Sequence, residues 1–208
     1  MSKGQGSSGK LLVRARTVLI VVGSKASTAE EKAAKILAHR LEKRSSVSVS
    51  SCREEDLQQT IGGKDLAVVL GSRERSGLVG ELLTSFNAGL PRLPNSGKAH
   101  PEGFSVASGQ IRGVPCVLVA GVDERGVIYG VGWFLRSIRF LDGYIEVPAL
   151  SACEKPAFWM RGGNPTGPGS RARQFGKLRP QTQEERLEMM EDLMLLGTNI
   201  FSGDPELV

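Results

Sequence analysis

The residues that could do chemistry are few and widely separated. Cys52, Cys116 and Cys153 with His39 and His100 are the soft metal ligands of the 208-residue chain. Their odd cysteine number and irregular spacing fit neither a disulfide framework nor a zinc-binding pattern, so the cysteines read as buried or incidental thiols. A general acid and base pair needs two carboxylates held apart across a substrate. Glu30-Glu31, Glu54-Glu55-Asp56, Asp123-Glu124 and Glu184-Glu185 are adjacent in sequence, and each falls at a helix start or on a polar face. Catalytic residues are therefore expected to be absent. The turn Gly23-Ser24-Lys25-Ala26-Ser27 lacks the spaced glycines that let backbone approach a pyrophosphate, and Gly71-Ser72-Arg73 lacks a following Gly-Lys-Ser/Thr. No cofactor and no metal are expected. Arg171, Arg173, Lys177 and Arg179, interleaved with Phe175, could meet phosphates, but no nucleic-acid motif surrounds them, and they read as a solvated loop.

The elements that would position any site follow from hydrophobic spacing. Thr17–Val22 is a continuous apolar run, as in a strand buried on both faces. Ser27 and Glu30 form a capping box, and Ala33, Ile36, Leu37 and Leu41 place one apolar face on the helix that follows. Val47–Ser51 alternates as a strand, Leu66–Leu70 is another buried run, and Leu78–Phe86 is a second helix. Asn87–His100 is rich in Pro, Gly and Asn and is expected to be a loop with little to hold it rigid. Gly103–Ser108 and Val114–Ala120 flank a turn over Gly109–Gly113 and should pair as a hairpin, with Pro115 at an edge or ahead of regular pairing.

Asp123 caps a third helix, expected to run to Phe140. Its Gly126, Gly130 and Gly132 imply close packing of another backbone, since each glycine costs about 1 kcal/mol against alanine. Val147–Pro156 reads as a linker. Beyond it, a short strand over Ala157–Gly163, a turn-rich loop over Asn164–Gly169, a helix over Thr182–Leu196 and a strand at Ile200-Phe201 have the order of a parallel α/β barrel's first unit. The expected fold class is thus α/β (α+β): a two-layer domain of mixed sheet and helices over residues 13–150, after a disordered tail at 1–12. Residues 151–208 form a linker and a truncated (β/α)8 start.

Composition limits the partners. No stretch reaches the roughly 18 to 20 apolar residues of a membrane span, so a soluble chain with no membrane partner is expected. Leu11–Val22 is interrupted by Arg14 and Arg16 and gives no signal peptide, and localisation stays unassigned. The net charge of +5 arises almost entirely in roughly the first 60 residues, spread over a tail and a helix surface, and reads as a solvated face with no nucleic acid as partner.

The order of segments carries more than any single motif. Val68-Val69-Leu70-Gly71-Ser72, the Gly103–Ala120 hairpin, the helix start Gly121–Gly130 and Glu154-Lys155-Pro156-Ala157-Phe158-Trp159-Met160-Arg161-Gly162 resemble the N-terminal domain of bacterial β-hexosaminidases, related β-N-acetylglucosaminidases and α-glucuronidases. In those glycoside hydrolases a small α/β domain precedes a catalytic (β/α)8 barrel. The resemblance implies a non-catalytic accessory domain of an enzyme acting on N-acetylhexosaminides or glucuronides, with the catalytic acids past Val208 and this chain inactive alone. It implies that carbohydrate is met through the complete barrel. Arg161 is similar in position to a first-strand arginine that contacts sugar hydroxyls; a local ion pair is the alternative. Gly163-Asn164-Pro165 departs from the acidic residue that hexosaminidases carry there. An incomplete barrel would expose the Leu187, Met190, Leu193 and Met194 face to self-association. A free-standing carbohydrate- or protein-binding α/β module is the rival reading.

Overall fold

A computed structural model describes residues 11–163 and 182–201. The chain divides into two compact units, Met1–Lys155 and Pro156–Val208.

The first unit opens with β1 (Leu11–Ala15), which begins inside the expected tail, then β2 (Thr17–Val22), α1 (Thr28–Ser45) and β3 (Ser48–Arg53). The short helix α2 (Leu57–Thr60), β4 (Leu66–Ser72) and α3 (Gly77–Ser85) follow. The hairpin strands β5 (Phe104–Ile111) and β6 (Val114–Gly121) lead into α4 (Glu124–Ser137). Three short strands close the unit: β7 (Arg139–Leu141), β8 (Tyr144–Pro148) and β9 (Ser151–Glu154). The main sheet has the order β3-β2-β4-β6-β5-β9, and a smaller antiparallel sheet has the order β1-β8-β7. Strands β3, β2, β4 and β6 run parallel, and β5 is antiparallel to both β6 and β9.

The apolar runs occupy the middle of this sheet because both its faces are covered. Leu19, Val21, Ala67, Val69 and Leu118 pack with Val79, Leu82 and Leu83 of α3 and with Leu57 of α2. On the other face Gly130 of α4 lies against Val119. The mixed α/β class is the one expected, and helices on both faces add a third layer to the two foreseen.

The capping box of α1 is present: Ser27 Oγ accepts from the Glu30 amide at 3.2 Å, and Glu30 accepts from the Ser27 amide at 2.7 Å. Elsewhere the local reading needs correction. The hairpin turn is Arg112-Gly113, with φ of 52° and 80°, the left-handed pair that matches the twist of two strands. Gly109, expected in that turn, lies inside β5, where a Cβ would stand 2.4 Å from the Phe86 ring. Pro115 precedes the pairing of β6 with β4, which begins at Cys116. Helix α4 stops at Ser137 because Ile138 turns extended, and Arg139–Leu141 pairs with β8. The apolar period continues past that break, so it carried the expected helix too far.

Val147–Pro156, expected as a linker, holds the end of β8 and all of β9; Pro148 and Pro156 bound these strands rather than interrupt them. The Asn87–His100 segment is tied by an Arg92–Ala99 bridge, by Leu93 N–H to Lys98 O at 2.8 Å and by His100 N–H to Pro91 O at 2.8 Å. It has more to hold it than its composition suggests.

In the second unit β10 (Gly162–Gly163) and β11 (Ile200–Phe201) pair in parallel, and α5 (Gln183–Leu195) comes between them in sequence. Thr182 and Glu185 form its capping box. The strand expected over Ala157–Gly163 is confined to its last residues. Tail residues 1–10, the Asn164–Gly169 loop and the basic cluster Arg171, Arg173, Lys177 and Arg179 lie outside the described residues.

Candidate functional site

Chain order creates one natural place for a ligand in the first unit. From β2 the chain crosses through α1 to β3, then returns through α2 to β4 on the opposite side of β2. In parallel α/β sheets the crevice outside the carboxyl ends of two such strands is where ligands sit. The loops there are Gly23–Ser27 after β2 and Arg73–Ser76 after β4, with Arg53 and Glu54 arriving from β3.

These loops bind one another. Ser24 donates its amide at 3.0 Å and its hydroxyl at 2.7 Å to Glu54 Oε1; the Ser76 hydroxyl at 2.6 Å and the Leu78 amide at 3.1 Å donate to Oε2. Ser76 Oγ also accepts from the Val79 amide at 3.1 Å, capping α3. One carboxylate thus joins three segments and occupies the anion-favouring start of a helix. Arg53 Nη1 donates to Gly23 O at 3.0 Å while its Nη2 pairs with Glu31. The approach is close enough that a Cβ on Gly23 would lie 2.7 Å from both Arg75 O and Ser76 Cβ.

The same pattern recurs along this edge. Glu30, fully buried, accepts from the Ser72 amide at 2.8 Å as well as from Ser27. Asp123 accepts from the Glu102 and Gly126 amides, each at 2.8 Å, binding the loop before β5 to the start of α4.

This arrangement favours the charged form of the carboxylate. Burial acts against the Glu54 anion, but hydrogen bonds from Ser76, Ser24 and Leu78 outweigh it and hold the carboxyl below its ordinary value. A general acid needs the opposite shift. Glu54, expected at a helix start or on a polar face, does open a short 3-10 helix over Glu54–Asp56, and its carboxylate is in addition a tie between loops. No local signal identifies it, since Ser24 and Ser76 lie 30 and 22 residues away.

Other candidates fall elsewhere. A groove of about 540 Å³ runs between α3 and the Asn87–Ala99 segment; its Arg92 donates Nη1 to Gly97 O at 2.6 Å. Among the described residues no cluster of three or more His, Cys, Asp or Glu could hold a metal ion, and no helix is long and apolar enough to cross a membrane. Cys52, Cys116 and Cys153 are free thiols. Burial pushes the Cys116 thiol up to about 12, and burial and Glu154 also push up the Cys153 thiol, so a thiol reagent at neutral pH should label exposed Cys153 first and Cys116 only on unfolding. Mass spectrometry of the labelled peptides checks the order.

Arg161, in the second unit, receives local partners. Its amide donates to Asn199 Oδ1 at 2.9 Å, its Nε to Gly197 O and its Nη1 to Phe158 O. Asn199 Nδ2 returns a bond to Trp159 O at 2.7 Å. The guanidinium joins the segment before β10 to the turn after α5. Phe158 and Trp159 beside it are 73% and 81% exposed.

No protein-family model matches the chain, and no curated protein matches it. Solved structures do. BtGH115A, a GH115 4-O-methyl-α-glucuronidase with specificity for decorated arabinogalactans, aligns with TM-score 0.55 and 16% identity over 89% of this chain and 24% of its own. CpGH84B aligns with TM-score 0.51 and 17% identity over 92% of this chain and 26% of its own. A GH20 exo-β-N-acetylglucosaminidase from Vibrio harveyi aligns with TM-score 0.51 and 11% identity over 89% of this chain and 21% of its own. The chain spans about a quarter of the length of these structures, and at such identities the likeness is one of fold.

Proposed function

We propose that this chain is a non-catalytic α/β domain of a carbohydrate-active enzyme, ending at Lys155 because β9 belongs to its main sheet, followed from Pro156 by the start of a (β/α)8 barrel. The whole enzyme acts on N-acetylhexosaminides or glucuronides. The observation that carries the non-catalytic role is the tied switch point, where Glu54, Arg53 and the Gly23–Arg75 contact bind to one another the loops between which such a sheet would take a ligand. The parallel β10–β11 pair, with α5 between them in sequence, supports the barrel start, because a two-stranded sheet is marginal unless further strands join it. The fold likeness to glycoside hydrolases supports the glycan.

Arg161 is the substrate-binding residue of this reading, acting when the rest of a barrel stands over it. Self-association is its corollary for the chain alone: of the Leu187, Met190, Leu193 and Met194 face, Leu187 is exposed and the other three are half-buried, while Leu196 just after α5 and Phe158, Trp159 and Met160 before β10 are exposed. Chromogenic N-acetylglucosaminides and glucuronides test the reading. No turnover is expected from the 208-residue chain and turnover is expected from a longer product carrying a whole barrel; hydrolysis by this chain itself overturns the proposal.

A further inference from the structure

We infer that the outer face of the β1-β8-β7 sheet binds carboxylate groups of an acidic polysaccharide; the choice of a glycan rests on the function proposed above. Arg14, Glu146 and Arg139 stand in register across the three strands. Arg14 Nε lies 2.9 Å from Glu146 Oε1, and Arg139 Nη1 lies 3.2 Å from Glu146 Oε2. One carboxylate therefore aligns two guanidinium groups. The Arg14 guanidinium also stands 6.0 Å from the ring centre of Tyr144, which shares this face with Glu146. The intervening Ile145 is buried on the opposite face.

The shared acid is covered while the bases are not. Glu146 is 14% exposed, against 65% for Arg14 and 76% for Arg139. A guanidinium carries five N–H donors in a fixed fork, and Glu146 takes one bond from each arginine. The remaining donors face outward in orientations already set by Glu146 and, for Arg14, by Tyr144. Fixing them beforehand reduces the entropy lost when an anion docks.

Charge and shape select the partner. Two arginines around one glutamate leave one net positive charge on the ladder, whereas nucleic-acid affinity is built by neutralising many closely spaced phosphates. A uronic acid presents one planar carboxylate beside neutral hydroxyls. Its carboxylate matches the paired N–H donors of an arginine, and a hydroxyl can donate to Glu146.

Affinity electrophoresis of the full chain in polygalacturonate, glucuronoxylan and a neutral β-glucan reads this directly. Retardation is expected in the uronic-acid polymers alone. The double variant Arg14→Gln/Arg139→Gln should lower affinity at least about tenfold. These side chains are exposed, so the fold should survive, as circular dichroism would verify. Arg112→Gln, in the hairpin turn, should bind like the parent chain. Undiminished binding by the double variant, or equal loss in Arg112→Gln, overturns the ladder as the site. Retardation by neutral glucan that the ladder variants leave unchanged overturns it too, while leaving the carbohydrate reading intact. Binding to DNA without binding to uronic polymers overturns both the ladder proposal and its choice of partner.

Discussion

Replacing Glu54 by alanine should destabilise the chain by about 2–3 kcal/mol, measured as a lower urea midpoint at unchanged m value. The substitution removes the acceptor shared by Ser24 N–H, Ser24 Oγ–H, Ser76 Oγ–H and Leu78 N–H. It also frees the Ser76 hydroxyl, whose oxygen caps α3 through Val79, so part of the cost is a weakened helix start. Glu54 is half-buried and water can reach some of the freed donors. The cost therefore falls below the 3–5 kcal/mol typical when one partner of a fully buried ion pair is removed. Glu54→Gln retains an acceptor and should lose about half as much.

The pH dependence has a fixed sign. The folded-state Glu54 carboxyl lies below its ordinary value of 4.5, so its stabilisation is complete above the unfolded-state pKa and disappears as pH falls through the folded one. The curves for the parent chain and Glu54→Ala should differ at neutral pH and converge in acid. Asp65 adds to the acid sensitivity of both chains: burial opposes its charge, but the Arg16 and Thr17 amides donate to it at 2.8 and 2.9 Å and hold its carboxyl below the ordinary value. A Glu54→Ala variant within about 0.5 kcal/mol of the parent, typical of a surface change, would leave Glu54 as an ordinary acidic residue at a helix start and not a tie between loops.

Sequence legibility follows the range of the interaction involved. Thr17–Val22 was readable as a central strand, and Leu66–Leu70 as another apolar run, because burial on both faces demands continuous apolar residues. The α1 start was readable because Ser27 and Glu30 satisfy each other across three residues. The Glu54 tie was hidden because its carboxylate pattern, Glu54-Glu55-Asp56, equally suits an exposed helix start, and its partners come from other loops. Strand β9 was missed for a related reason: Ser151–Glu154 has little apolar alternation, and its pairing with β5 spans most of the hairpin, α4, β7 and β8. Arg161 was singled out by its neighbours in sequence, yet its bonding to Gly197 and Asn199 crosses 36 and 38 residues.

The glycines of α4 give the sharpest separation between local propensity and tertiary contact. Gly126→Ala should gain about 1 kcal/mol of helix propensity and still destabilise the chain by about 2–4 kcal/mol overall. Its new Cβ would meet Gly103 O at 2.2 Å and Gly121 Cα at 3.3 Å. The Gly103 carbonyl cannot retreat freely, because it accepts the Val122 amide at 2.8 Å, while Asp123 holds the adjoining Glu102 amide. Gly80→Ala in α3 makes the same chemical change where the nearest atom to the Cβ is Arg73 Cγ at 3.8 Å, ordinary van der Waals contact. It should stabilise by about 0.5–1 kcal/mol through helix propensity and a less flexible unfolded chain. Paired urea titrations read both signs. Equal gains in the two variants would mean that α4 can move off the Gly103 loop at no cost, and the tight helix-to-strand approach at this edge would lose its role in holding the fold.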